Sequence, residues 1–447
     1  MSESRRTALD YAVAGTLAAT IFATAAGSSA ELGVVSAGKQ WRWVLLVVLC
    51  IVARARAIAF RAEWRLRPWV GGILAMFCAL TLVSTTWSVI PRVTAERAVT
   101  ISVAAFVAAA IAGSAALSPV TARRVLDGVL AAVAAVALAG FVFWLVDPAA
   151  VQSATTEYPA RFQGWEQNPN TSAMLLAIGM PIALARAMAV GRLRWGIALV
   201  LLLAVFIAEI AASGSRGGLA AGFLALLVVV ALVPSARRRR AGFAVAVVAS
   251  LAVAAWVMTI PSPLPGQAAV PYKAPVVSPS HPIDAETVIP LWGEIGGPWW
   301  SHTSGAIHRT LFSTSTRTRA WDGAIEQALG RPLLGFGAEQ PTFVNRYYGF
   351  NSENPENGYI GLFIQFGLIG LGTFIALVGL CLWPALRNAG RDGWVPAAAG
   401  GACAGVFLGM SQSYFHAIGN VAFLSFWVAL LLASVAGVRA REDEVTS

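Results

Sequence analysis

The chain has 447 residues, 57% of them hydrophobic and only 12% charged, with a mean hydropathy of +0.68. A soluble domain carries roughly a quarter charged residues, so this composition excludes one and predicts an all-α polytopic membrane protein, in which length is no guide to domain number. The formal charge of +10 does not mark a nucleic-acid binder, because the basic residues are spread over short connections between apolar segments, as membrane topology requires.

A spanning helix needs roughly 20 apolar residues, and about twelve stretches qualify on that scale: 8–27, 41–58, 69–89, 98–117, 125–146, 171–190, 195–212, 217–234, 241–260, 358–384, 396–416 and 418–438. The second is the weakest, since Arg54 and Arg56 interrupt its end. The first stretch lacks an A-x-A exit and is followed by further spans, so no cleavable signal peptide is expected. Cys50, Cys78, Cys381 and Cys403 lie scattered inside apolar segments with no CxxC, which predicts unpaired packing residues.

Arginine sets the orientation. Arg5 and Arg6 precede span one, and Arg54 and Arg56 close span two, with Arg61, Arg65 and Arg67 just beyond. Arg123 and Arg124 follow span four, Arg186, Arg192 and Arg194 lie at or after the end of span six, and Arg237 to Arg240 follow span eight. Arg387 and Arg391 follow span ten, and Arg439 and Arg441 follow span twelve. If the spans alternate, all these clusters share one side, which predicts cytoplasmic termini in a multi-pass inner, cytoplasmic membrane protein. Arg42, Arg92, Arg97, Arg161, Arg216 and the arginines of the large loop remain on the outer side. That rule does not account for them, so they are candidates for binding an anion.

Three outer features follow in chain order. Arg161-Phe162-Gln163-Gly164-Trp165 leads through Glu166 to Asn168-Pro169-Asn170, a turn that opens span six with Asn170 or Thr171 as its expected cap. Ser213-Gly214-Ser215-Arg216-Gly217-Gly218 then holds a charge at the membrane edge, where it snorkels or faces a polar cavity. The third feature is the long loop 261–357, which divides the chain into 1–260, the loop, and 358–447. Its first half is Pro-rich and expected to be extended or poorly ordered, with Trp292, Trp299 and Trp300 forming an interfacial belt or stacking on sugar rings, the belt being favoured. In its second half Trp321, Ala324, Ile325, Ala328 and Leu329 repeat at helical spacing, with caps offered at 313–316, Gly330 at the C′ position and Pro332 as a stop. That short amphipathic helix presents Arg317 and Arg319 at its N-terminus, where guanidinium groups and free N–H groups suit a phosphate.

Span ten opens at Asn357-Gly358-Tyr359 and carries Gln365 and Gly367, Gly370 and Gly372, glycines expected to serve close packing. Ser411 to His416 ends span eleven as a polar cluster, with His416 expected to be structural. There is no Walker A sequence, no H-E-x-x-H and no Cys/His cluster, and the early outer loop has only Glu31, so no metal and no cofactor is expected. Glu209 is the principal acid inside a span, and a single one is weak support for coupled transport.

Four motifs in order, NPN at 168–170, SGSRGG at 213–218, RTRAW at 317–321 with PLLGFG at 332–337, and ENGYIG at 356–361 with FGLIG at 366–370, resemble the O-antigen ligase and O-antigen polymerase superfamily of bacterial envelope glycosyltransferases. The resemblance implies a GT-C-like membrane fold and metal-independent, inverting transfer of a glycan from a polyprenyl-pyrophosphate donor to an acceptor hydroxyl on the outer face. Implied partners are that donor, a glycan or glycolipid acceptor, the bilayer, and chain-length or envelope-assembly proteins, with no nucleic acid. The family typically has His-Asn where this chain has Glu356-Asn357. A carboxylate there can serve as general base, with Arg216 and Arg317 stabilising the departing pyrophosphate in place of a metal. Arg161, Arg319, Asn357, Asn170 and Tyr359 are the expected binding residues, and Glu353 is the alternative base. Two other readings are a non-catalytic lipid-linked glycan transporter and a SEDS-type peptidoglycan polymerase. The second would need an acid in the large loop, Asp284 or Glu286, and neither has arginines clustered beside it.

Overall fold

In the computed structural model, residues 3–26, 35–59, 66–88, 90–116, 118–151, 161–164, 169–233, 317–338, 356–389, 392–415 and 420–438 are described. Among them every regular element is a helix. These are α1 (Glu3–Ala26), α2 (Val35–Ala59), α3 (Pro68–Val83), α4 (Pro91–Ala115), α5 (Pro119–Val146) and α6 (Pro169–Ala189). There follow α7 (Leu193–Ala212), α8 (Arg216–Leu232), α9 (Arg317–Leu329), α10 (Gly358–Arg387), α11 (Val395–Leu408) and α12 (Val421–Ser434). The predicted span 241–260, the Pro-rich half of the large loop with Asp284, Glu286 and its tryptophans, the caps at 313–316, Glu353 and His416 lie outside the described residues.

Seven of these helices are long and apolar enough to cross a membrane: α1, α3 to α7 and α10. α8, α11 and α12 are shorter apolar helices. α2 falls outside both groups, in keeping with its place as the weakest expected span: its sequence carries Lys39, Arg42, Arg54 and Arg56. Large apolar side chains such as Trp69, Leu145, Val146 and Leu193 stand more than two-thirds exposed on the outside of the bundle. In water that surface would be costly; against lipid it is the expected solvent-facing layer. All four cysteines are free, as expected.

Local sequence explains the helix starts. Proline stands in the first turn of α3, α4, α5 and α11, where its missing N–H costs nothing. Asn357 and Asn420 cap α10 and α12 by accepting backbone N–H groups with their side chains, and Ser215 caps α8 in the same way. One expected cap is corrected. α6 begins at Pro169, so Asn170 is already inside the first turn and its side-chain oxygen is used elsewhere.

α6 and α12 form the centre, buried along nearly their whole lengths. α6 packs on α5, α7, α8 and α11, while α12 packs on α4, α10 and α11. Small residues allow these close approaches: Gly400 of α11 lies against Pro181 and Val229, and Gly218 of α8 against Ala173. Under the site described below, Phe374, Phe415, Phe426 and Trp427 form an aromatic cluster with ring centroids 4.5–6.5 Å apart.

The helix ends gather into two sets, the grouping that alternating spans require. At one end Arg56 closes α2 and is almost fully buried: its Nε donates to Asp10 of α1 at 2.5 Å, and its other nitrogens to the Ser114 carbonyl of α4 and Thr121 of α5. Arg124 reaches the same aspartate at 2.8 Å. Arg67 donates to the Ser434 and Ala436 carbonyls at and just beyond the end of α12, and Arg186 pairs with Asp127. All the described arginines that sequence places on the inner side lie at this end. Removing one partner of a buried ion pair strands the other, so Asp10→Asn is expected to cost about 3 kcal/mol, read as a lowered midpoint of thermal unfolding in detergent.

Candidate active site at the opposite helix ends

At the other end of the bundle three of the four motifs come together. Arg161 is buried in the segment before α6. Its Nε donates to the Ser213 carbonyl at 2.6 Å and its NH2 to Asn170 Oδ1 at 2.9 Å. A guanidinium held by two acceptors is fixed in position and orientation. Gly214, at φ +62, completes the turn with no side chain between its Cα and that guanidinium. Arg216 then occupies the first position of α8, beside backbone N–H groups that favour negative charge.

The turn meets the end of α11. A Cβ on Gly217 would collide with the side chain of Ser411, so these two residues are in direct apposition. The next link is Met410, whose carbonyl accepts from Asn357 Nδ2 at 3.1 Å, and Gly358 N donates to the Gly409 carbonyl at 2.7 Å. Asn357 also caps α10 through Oδ1, to the N–H groups of Tyr359 and Ile360. Thus Arg161 and Asn170, the Arg216 turn, Ser411, and Glu356-Asn357 follow one another around a single rim. Glu356 is partly exposed and has φ +43, the one positive-φ residue other than glycine among the described residues. Such a backbone costs about 1 kcal/mol or more and is held in place by its surroundings.

Tyr359 turns away from the rim. Its hydroxyl donates to the Val406 carbonyl at 2.7 Å, and its ring packs edge-on against Phe374 and Phe415. Its role in the structure is to join α10 to α11. Sequence reasoning gave Glu209 only a passing place. It lies a turn before Ser213, is 1% exposed, and its Oε1 has no hydrogen-bond partner among the described residues. A Cβ on Gly140 would come within 3.4 Å of that oxygen and 3.2 Å of Phe162. The signal was available, since an acid inside an apolar span is costly and marks a site by default.

α9 carries Arg317 as its first residue and Arg319 two further on. The helix is amphipathic as expected, but its face is rotated. Ala324, Gln327 and Ala328 are buried, against Ile364 and Phe336, whereas Ile325 and Leu329 are exposed. Gly330 ends it without a left-handed backbone, so the expected C′ conformation is not adopted. Just beyond, PLLGFG plugs into α10. Phe336 N and Gly337 N donate to the Ile364 and Gln365 carbonyls, and Leu368 N and Ile369 N donate to the Pro332 and Leu333 carbonyls. α10 is broken at Gly367, φ 64 and ψ −164, and the inserted turn takes up the freed backbone groups. Gly335 and Gly367 therefore serve close packing of backbone on backbone, while Gly337 makes room for the Ser88 side chain and Gly370 for those of Phe366 and Leu80.

Residues 199–375 match the family model described as O-antigen ligase. That segment runs from within α7 through α8 and α9 to the middle of α10, and it contains SGSRGG, RTRAW, PLLGFG, ENGYIG and FGLIG. No curated protein matches the chain.

Proposed function

We propose that this integral membrane protein, similar to O-antigen ligases over residues 199–375, transfers a glycan from a polyprenyl-pyrophosphate donor to an acceptor hydroxyl on the outer face. The observation that carries the reading is the single rim: Arg161, Asn170, Arg216 and Glu356-Asn357, far apart in sequence, are joined there through Ser213, Ser411 and Met410. The rim lies at the end opposite the buried Asp10–Arg56 network, so the positive-inside reading makes it external.

In the proposed step the acceptor oxygen attacks the anomeric carbon from the face opposite the pyrophosphate, and the configuration inverts. The acceptor proton passes to the Glu356 carboxylate as the new glycosidic bond forms. The bond to the pyrophosphate oxygen breaks, and its electron pair leaves with the lipid diphosphate. Arg216, at a helix N-terminus, and Arg317, first residue of α9, stabilise the charge that develops there, the role a metal plays elsewhere. Arg161 and Arg319 bind the diphosphate, and Asn170 and Asn357 orient the site. Tyr359 supports it through the α10–α11 contact.

Mass spectrometry of envelope glycans in a deletion strain tests the reading. Polymer left on its lipid carrier identifies a ligase, and missing polymer identifies a polymerase. An unchanged glycan profile would reject both. The transporter alternative has the buried Glu209 in its favour. Purified protein in vesicles separates the two, since movement of lipid-linked glycan with no new glycosidic bond belongs to a transporter.

A further inference from the structure

The arginine-rich end holds a cavity that the transfer reaction does not use. It measures about 190 Å³ and lies between α5, α6 and the start of α11. Its walls are Leu126, Ala185, Ala189 and Ala397, and its polar lining is Arg123, Arg186 and Trp394. Arg186 is half spoken for, with Nε and NH2 on the Asp127 carboxylate at 2.7 and 3.0 Å. Arg123 is exposed and makes no hydrogen bond or ion pair among the described residues. Trp394 is 5% exposed, and its indole Nε1 is buried with no partner among them. A buried indole N–H without an acceptor is uncommon and costly.

We infer that this cavity is a phosphate-binding site for the headgroup of an anionic membrane lipid. Two guanidinium-bearing side chains and one indole line it, and one carboxylate offsets one of the two charges. The size accommodates a phosphate with its glycerol ester. Its place, between helices at the end where arginine collects, is where an anionic leaflet presents such groups. Positive-inside topology accounts for arginines near this surface, but not for a buried indole without a partner among the described residues in the wall of a cavity. The inference is independent of the transfer reaction at the opposite end.

The test uses the full chain in detergent, with thermal unfolding read against added lipid. Cardiolipin and phosphatidylglycerol are expected to raise the midpoint, and phosphatidylcholine is not. Trp394→Phe keeps the packing and removes the donor, and Arg123→Ala removes an exposed side chain with no bond to lose. Each is expected to weaken the lipid response about tenfold in half-saturating concentration. Arg192→Ala, a charge at the same end outside the cavity, is expected to leave it unchanged. An equal response to phosphatidylcholine, or equal weakening by Arg192→Ala, would overturn the site. Inorganic phosphate at millimolar concentration is the second arm. If it reproduces the full shift and competes with lipid, the phosphate site stands and the lipid source is overturned.

Discussion

Replacing Gly367 by alanine is expected to leave little folded protein, whereas the same change at Gly372, five residues on in α10, is expected to be neutral. At φ 64, ψ −164 Gly367 occupies a region that is essentially closed to residues with a Cβ. An added methyl would also fall inside the carbonyl of Leu333, in the inserted turn. Relieving that collision separates PLLGFG from α10 and strands the groups that the Phe336, Gly337, Leu368 and Ile369 hydrogen bonds satisfy. Strain of about 1–3 kcal/mol and unsatisfied buried amides at about 1–3 kcal/mol each sum to more than a membrane bundle tolerates. Gly372 has nothing within 4 Å of a built Cβ, so alanine there gains helix propensity and loses no contact. Monodispersity and thermal unfolding of both variants in one detergent decide the matter. If Gly367→Ala melts with the wild type, the break in α10 is not held by this turn.

That pair of glycines also marks what the sequence could and could not disclose. Composition and arginine spacing specify the membrane class and the grouping of helix ends, because both follow from transfer energies that act on every residue alike. Lone motifs are different. Gly367, Gly370 and Gly372 read as one packing run, yet Gly367 breaks the helix and Gly372 touches nothing. Nothing local to 366–372 says that residues 332–337 supply the missing hydrogen bonds, since the partner is a tertiary neighbour. α9 gives a similar lesson. Its period predicts a helix correctly, but which apolar residues face protein and which face lipid is decided by the packing on α10, and Ile325 and Leu329 lie on the outward side. At the site, residue types were legible from charge left on the outer side, whereas the links through the Ser213 and Met410 carbonyls were not, because any residue offers a carbonyl.

The second large effect is expected at Glu356, and its backbone allows activity to be separated from stability. Glu356→Gln is expected to lower transfer about a thousandfold, within the range of general-base catalysis, while the protein unfolds at the wild-type temperature. Glu356→Gly removes the same carboxylate and also relieves the φ +43 backbone. That variant should be equally inactive and no less stable, with a gain of up to about 1 kcal/mol. A carboxylate kept only to favour the N-terminus of α10 predicts the reverse, a small loss of stability and full activity. Glu356→His places at this position the residue usual in the superfamily that the chain resembles and is expected to restore part of the rate. Arg216→Lys retains charge but not the planar fork, so it should fall between wild type and Arg216→Ala. These assays need one lipid-linked donor and one acceptor, with the new glycosidic bond as readout. Wild-type rates from both Glu356→Gln and Glu356→Gly would remove the base from this residue. Glu353→Gln, run in parallel, then decides whether the role moves three residues upstream or whether another group takes the acceptor proton.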